Sequence, residues 1–260
     1  MTQPVNPLLE KLKLPGRIFE LPSRGIFYTD GELTGGPEVH VHALSAMDEI
    51  HLKNPDQLFS GKAIEAVLPN CVDGVVKPGK LLAKDVDAIM LFLRVVTYGP
   101  SLELRANHHC SKEAKEHSYT VNVDEMISEI RPIDPTTVEA DFTVNLPNGQ
   151  VVKLRPSRYG AAVELIKDNA DKKVFTVEDH KRNLERMMLD LIESVDGITD
   201  PEHIAQWLRK VQTKWVTLIT QQIEKAHDWG PVLTRTVKCK DCGGDMTLDV
   251  PMNPISFFTE

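Results

Sequence analysis

The sequence predicts an α+β protein of mixed helices and short antiparallel hairpins. Three observations carry that reading. Apolar side chains recur at three- and four-residue spacing in several stretches, as amphipathic helices require. Short alternating runs recur in pairs around turn residues, as hairpins require. Two of these paired runs, far apart in the chain, enclose cysteine: Cys110 in the first, Cys239 and Cys242 in the second. With 260 residues, 41% of them hydrophobic and 26% charged, the chain buries a sizeable core.

The elements follow in order. Residues 1–37 are rich in proline and glycine but carry apolar anchors from Leu8 to Tyr28, so they predict an extended arm that packs on something. Val39–Ala43 alternates as a strand, and Ser45 followed by Asp48 and Glu49 starts a helix. A short helix is expected over 61–68. Leu81–Val96 is a longer one, with Leu82, Val86, Ile89, Met90 and Leu93 on one face and Gly99-Pro100 as its stop. Leu102–Ala106 and Tyr119–Val123 read as strands around a loop holding His108, His109 and Cys110. Phe142–Leu146 and Val151–Leu154 flank Pro147-Asn-Gly149, a strong hairpin signal. Four helices are then expected. Ser157 caps the first, over 158–169. Thr176 with Asp179 caps the second, running to Val195 with Leu184, Met187, Met188, Leu191 and Val195 as its apolar face. Asp200-Pro201 starts the third, through Val211, and the fourth covers 213–226. Thr234–Lys238 and Met246–Val250 close the order as strands joined by Cys239-Lys-Asp-Cys242-Gly-Gly244.

This order divides the chain into an extended arm (1–37), an α/β part with the first cysteine loop (38–156), a helical region inserted as a block (157–229), and a β hairpin with the second cysteine loop and a tail (230–260). The formal net charge of −8 argues against a nucleic-acid binder held by phosphate neutralisation. The N-terminus lacks the basic and apolar regions of a secretory signal, and Ala88–Val96, interrupted by Arg94, is far too short to span a bilayer. Synthesis and folding in the cytoplasm are expected, with no membrane and no nucleic acid among the partners.

Cys239 and Cys242, three apart and followed by two glycines, have the spacing that wraps one zinc ion, and tetrahedral zinc needs two more ligands. A zinc ribbon takes two ligands from each of two hairpin turns. The chain therefore offers a zinc-ribbon-like β element in which Cys110 is the third ligand and a histidine of the same loop the fourth. The candidates are His108, which reaches the metal in a tight turn, His109, adjacent to Cys110, and His117 across the loop. Such a site is closed and structural, because four protein ligands leave no position for substrate. A redox Cys-x-x-Cys needs a helix start behind it to lower a thiol pKa, whereas Gly243-Gly244 leads into a strand. Cys71 reads as a small buried hydrophobe. His40 and His42, two apart on one strand face, read more simply as a solvated face than as a metal pair. No nucleophile elbow, phosphate loop or dinucleotide fingerprint is present, and an enzyme is not expected. Trp207, Trp215 and Trp229 have spacings suited to packing between helices. Phe257-Phe258 must dock on its own domain or on a neighbour.

Several of these segments, taken in order, resemble a known family. Leu21-Pro-Ser-Arg-Gly-Ile-Phe-Tyr28 resembles the amino-terminal signature of baseplate proteins of T-even-type contractile-tailed bacteriophages. The resemblance continues through Ile64–Cys71, Leu82-Ala-Lys-Asp-Val-Asp87, Leu93-Arg-Val-Val-Thr-Tyr-Gly99, the cysteine-bearing loop, Cys239-x-x-Cys242-Gly243 and the ending with Pro254 and Phe257-Phe258. Each motif is short, so their shared order carries the specificity, and the block 157–229 contributes least. Members of the family often have two cysteines in the first loop where this chain has Cys110 alone, the second position falling on Glu113. The resemblance implies a structural component of the baseplate hub, located in the virion tail and bound to other baseplate and tail proteins in a multi-subunit complex. The rival expectations are a transient hub-assembly chaperone absent from the mature virion, and a zinc-ribbon nucleic-acid adaptor. For the adaptor, Arg235, Lys238 and Lys240 are offset by Asp241, Asp245 and Asp249.

Overall fold

The computed structural model describes residues 14–29, 31–54, 62–107, 110, 115–169, 174–252 and 257–258. Its centre is a helix buried on nearly every side, α3 (Ala83–Tyr98). The expected stripe is present, but Ala88, Leu91 and Phe92 on the other faces are also buried. The helix is enclosed because strands and helices from distant parts of the chain pack on it from several directions.

Ahead of α3 lie β1 (Gly16–Glu20), β2 (Glu38–His42), α1 (Ala46–Leu52) and α2 (Lys62–Cys71). The strand β1 was not expected. Gly16 to Glu20 pair antiparallel with β2, opposite His42 to Glu38, which turns part of the proline-rich arm into a two-stranded sheet. Helix α1 begins as its sequence demands: Asp48 N donates to Ser45 Oγ (3.2 Å) and Ser45 N donates to Asp48 Oδ2 (3.0 Å), a reciprocal capping box. Cys71 is buried and its thiol donates to Asp48 Oδ2 at 3.7 Å. Burial, and then the Asp48 charge, push that thiol up to about 12, so it stays protonated and inert.

After α3 come β3 (Ser101–Ala106) and β4 (His117–Asn122), paired in register from Ser101↔Asn122 to Ala106↔His117. Short helices α4 (Val123–Ser128) and α5 (Val138–Asp141) lead to a three-stranded antiparallel sheet of β5 (Thr143–Asn145), β6 (Val151–Leu154) and β7 (Ile192–Val195). Helices α6 (Tyr159–Asn169) and α7 (Val177–Leu191) lie between β6 and β7. Here the structure corrects two expectations. Helix α6 starts at Tyr159, one residue later than expected, so Ser157 is not the residue preceding it, and its hydroxyl donates instead to Asp190 Oδ2 at 2.6 Å. The helix starting at Thr176 ends at Leu191, because Ile192, Ser194 and Val195 pair with Leu154, Lys153 and Val152 of β6. The block 157–229 is thus interrupted by a strand that was hidden inside a helical period. Helices α8 (Pro201–Leu208) and α9 (Thr213–Ala226) follow, then β8 (Thr234–Lys238) and β9 (Asp245–Asp249), an antiparallel pair.

The buried side chains form two clusters. One gathers α1–α3, β2–β4, β9 and the terminal Phe257 and Phe258; the other gathers the β5-β6-β7 sheet with α7, α8, α9 and Trp229. Their seam lies at the start of α3, where Leu81 belongs to the first and Leu82 to the second. Lys84 spans it. Its ammonium donates to the carbonyls of His227 (2.5 Å) and Trp229 (2.7 Å) and stands 5.6 Å from the Trp229 ring centre. Gly230, at φ +83°, lies against this lysine, and a Cβ there would come within 3.1 Å of its aliphatic stem.

The arm signature now has a physical role. Leu21 and Ser23 are fully buried. Ser23 N donates to Asp85 Oδ1 (3.0 Å), the Tyr28 hydroxyl donates to Asp85 Oδ2 (2.8 Å), and Leu82 N donates to that same hydroxyl (2.8 Å). Arg24 and Gly25 make the turn between them with positive φ, +52° and +74°. The tail also docks on its own chain: Phe257 and Phe258 are 0% and 1% exposed.

Candidate metal centre

The second hairpin builds its knuckle from backbone bonds. Cys239 N donates to Gly244 O (2.8 Å) and Gly243 N donates to Cys239 O (2.9 Å), folding the chain back between β8 and β9. Gly243 sits at φ +72°, a left-handed conformation costly for a residue with a Cβ. The loop between β3 and β4 carries Cys110 to this knuckle. The thiol sulfurs of Cys110, Cys239 and Cys242 lie within 4.8 Å of one another. A tetrahedral zinc with Zn–S of about 2.3 Å separates its sulfurs by roughly 3.8 Å, so the trio fits one ion with small adjustment. Cys239 is buried, while Cys110 and Cys242 are exposed.

The crowding of the sulfurs shows in their acidity. Desolvation among the crowded sulfurs, then hydrogen bonds and charge repulsion from Cys242 and Cys239, push the Cys110 thiol up to about 11. Three thiolates this close repel one another unless a cation compensates them, and zinc would supply that charge.

Asp241, between the two knuckle cysteines, ties the loops together. It accepts from Lys115 N (3.1 Å) and pairs with His117 Nε2 (2.8 Å). Lys240 adds a bond from its ammonium to Ser118 O (2.6 Å), over the Tyr119 ring at 5.3 Å. The two hairpins therefore hold each other by side-chain clasps around the thiols, with no ladder between their strands. The sequence reading missed Asp241, which looked like a charge cancelling its basic neighbours. Its place between two candidate ligands was the available signal.

The candidates for the fourth ligand separate as follows. His117 faces Asp241 and is not in the thiol group. His108 and His109 lie outside the described residues, as does Glu113. Elsewhere, His40 and His42 do not face solvent independently: both point at Asp73, at 3.5 and 3.1 Å.

With fold and centre in view, the comparisons define the class. A family model described as T4 bacteriophage base plate protein matches residues 40–259, nearly the whole chain and all of the helical block. The chain belongs to that family. That makes it a bacteriophage baseplate structural protein. No curated protein and no solved structure matches it. Among the described residues, no helix is long and apolar enough to cross a membrane.

Proposed function

We propose that this protein is a non-enzymatic component of the baseplate hub, in which a structural zinc ion clasps the β3–β4 and β8–β9 hairpins. The family match over 40–259 carries the baseplate part of this reading. The zinc part rests on three thiols from distant hairpins meeting within 4.8 Å. Cys110, Cys239 and Cys242 are three ligands and His108 the fourth, with His109 and His117 as its alternatives. The site is closed and holds structure only. Binding at such sites is worth about 10–16 kcal/mol in zinc-finger peptides, enough to decide whether the two hairpins stay together.

The work of the protein is contact with neighbouring tail proteins. Helix α7 supports this. Of its expected apolar face, Met188 and Leu191 are buried, but Leu184 and Met187 remain 49% and 41% exposed. Val177 on the same helix and Ile166 on α6 are exposed as well. A transient assembly chaperone presents the same surfaces, so the discriminating observation is composition. Mass spectrometry of purified virions, with cross-linking to central baseplate subunits, finds the chain in mature particles if it is a hub component. Its absence there leaves the chaperone role. For the metal, cobalt-substituted full-length protein should show one equivalent of thiolate-bound ion, lost in Cys239→Ser. Folded protein without thiolate-bound metal sinks the clasp. Single alanine variants of His108, His109 and His117 identify the fourth ligand as the one whose loss changes the cobalt spectrum.

A further inference from the structure

We infer that His40, His42 and Asp73 form a second metal site, separate from the cysteine centre, which takes a zinc-class divalent transition-metal ion. The two histidines are residues i and i+2 of β2, so their side chains leave the same face of the strand. Their rings converge, with centroids 4.0 Å apart. His40 Nδ1 lies 3.5 Å and His42 Nε2 3.1 Å from the same carboxylate oxygen, Asp73 Oδ2. All three ligand atoms fall within 4.8 Å of one another. An ion bound at about 2.0–2.1 Å to nitrogen and oxygen in tetrahedral geometry separates its ligand atoms by roughly 3.3 Å, which these two distances bracket.

Backbone contacts place the three residues beside one another. Asp73 N donates to His40 O at 3.0 Å, and Val41 bridges Val72, so the carboxylate-bearing residue is tied to the strand that carries the imidazoles. The next residue, Gly74, sits at φ +85° against the Thr34 carbonyl. A Cβ there would stand 2.3 Å from that oxygen, so only glycine permits the close approach that fixes the turn after Asp73. Opposite, His40 Nε2 occupies the space a side chain at Gly16 would fill, 2.6 Å from its Cβ position. Glycine on β1 thus makes room for the ring that aims Nδ1 at the site.

The donor set selects the ion. Two imidazoles with one carboxylate suit zinc and its first-row neighbours, and three oxygen-poor ligands are too few for calcium or magnesium. Asp73 is 68% exposed, so the remaining coordination position opens to solvent. The cysteine clasp is closed by four protein ligands, and this site has three and an open place for water or an incoming donor atom.

The test is metal titration of the full-length chain with zinc, followed by cobalt. The wild type is expected to bind a second equivalent beyond the thiolate ion, with a cobalt spectrum lacking sulfur charge transfer. His42→Ala, at a half-buried position, and Asp73→Asn, at an exposed one, should lose this equivalent, with affinity falling by at least the roughly 10–100-fold that even outer-shell losses cost. The thiolate-bound equivalent should be unchanged in both. In Cys239→Ser the pattern reverses, so failure of the cysteine clasp and failure of the triad are read separately. A second equivalent that survives in His40→Ala/His42→Ala/Asp73→Asn overturns the proposal, as does a wild type that binds only thiolate-held metal.

Discussion

Tyr28 shows how one atom can hold an arm. Its hydroxyl accepts from Leu82 N at the start of α3 and donates to buried Asp85, which also accepts from Ser23 N. Burial raises the Asp85 carboxyl, and the Ser23 and Tyr28 bonds oppose that rise. Tyr28→Phe keeps the ring and removes both bonds, leaving a buried amide and a carboxylate short of a partner. Denaturant unfolding should show a loss of about 2–3 kcal/mol. Asp87 tests the opposite sign. Burial, opposed by Lys84, raises its carboxyl to about 6. Its folded pKa therefore exceeds its unfolded value of about 3.9, so ionised Asp87 costs stability above pH 6 and the cost fades as pH falls toward 4. Asp87→Asn should be more stable than wild type by about 1–2 kcal/mol at pH 7.5, allowing for its partial exposure, and no more stable below pH 4. Parallel denaturation series at the two pH values check this. An advantage that persists at low pH excludes the titration as its cause.

At the scale of elements, the two cysteine hairpins depend on each other through Asp241. Asp241→Ala removes its bonds to Lys115 N and His117 while leaving every thiol in place. Zinc affinity, measured by chelator competition, should fall by about 10–100-fold without loss of the thiolate spectrum. The strand β7 teaches a different lesson. Ile192-Glu-Ser-Val195 continues the apolar spacing of α7, so its period fits a helix, yet it joins β6 as an edge partner. Its β-branched residues suit either state, and the free edge of the β5–β6 hairpin decides. Asp196 and Gly197, both at positive φ, then turn the chain away. A one-sequence period cannot register an edge that becomes available only when a distant hairpin arrives.

Across the whole molecule, the tail seals the first core. Phe257 and Phe258 pack edge to face at 5.3 Å, and Phe258 lies 6.4 Å from Tyr98 at the end of α3. Phe258→Ala should cost about 3–5 kcal/mol, read as a lower denaturation midpoint. If the tail served only a neighbouring subunit, the isolated chain would lose nothing.

Local chemistry was enough for much of this protein. The capping boxes at Ser45 and Thr176, the Asn148-Gly149 hairpin and the glycines of the cysteine knuckle act within a few residues, so their elements were legible in the sequence. The sequence also pointed from the Cys239–Cys242 pair to Cys110, because a four-ligand site needs more donors than one hairpin offers, and the three thiols lie together. Only the tertiary structure decided that part of the proline-rich arm is a strand on β2, that α3 is buried on nearly all sides, that Asp241 joins two loops and that Asp73 meets both histidines of β2. Each of these depends on a partner far away in the chain. A periodicity or a motif records what a residue offers locally, and packing alone determines which distant group accepts it.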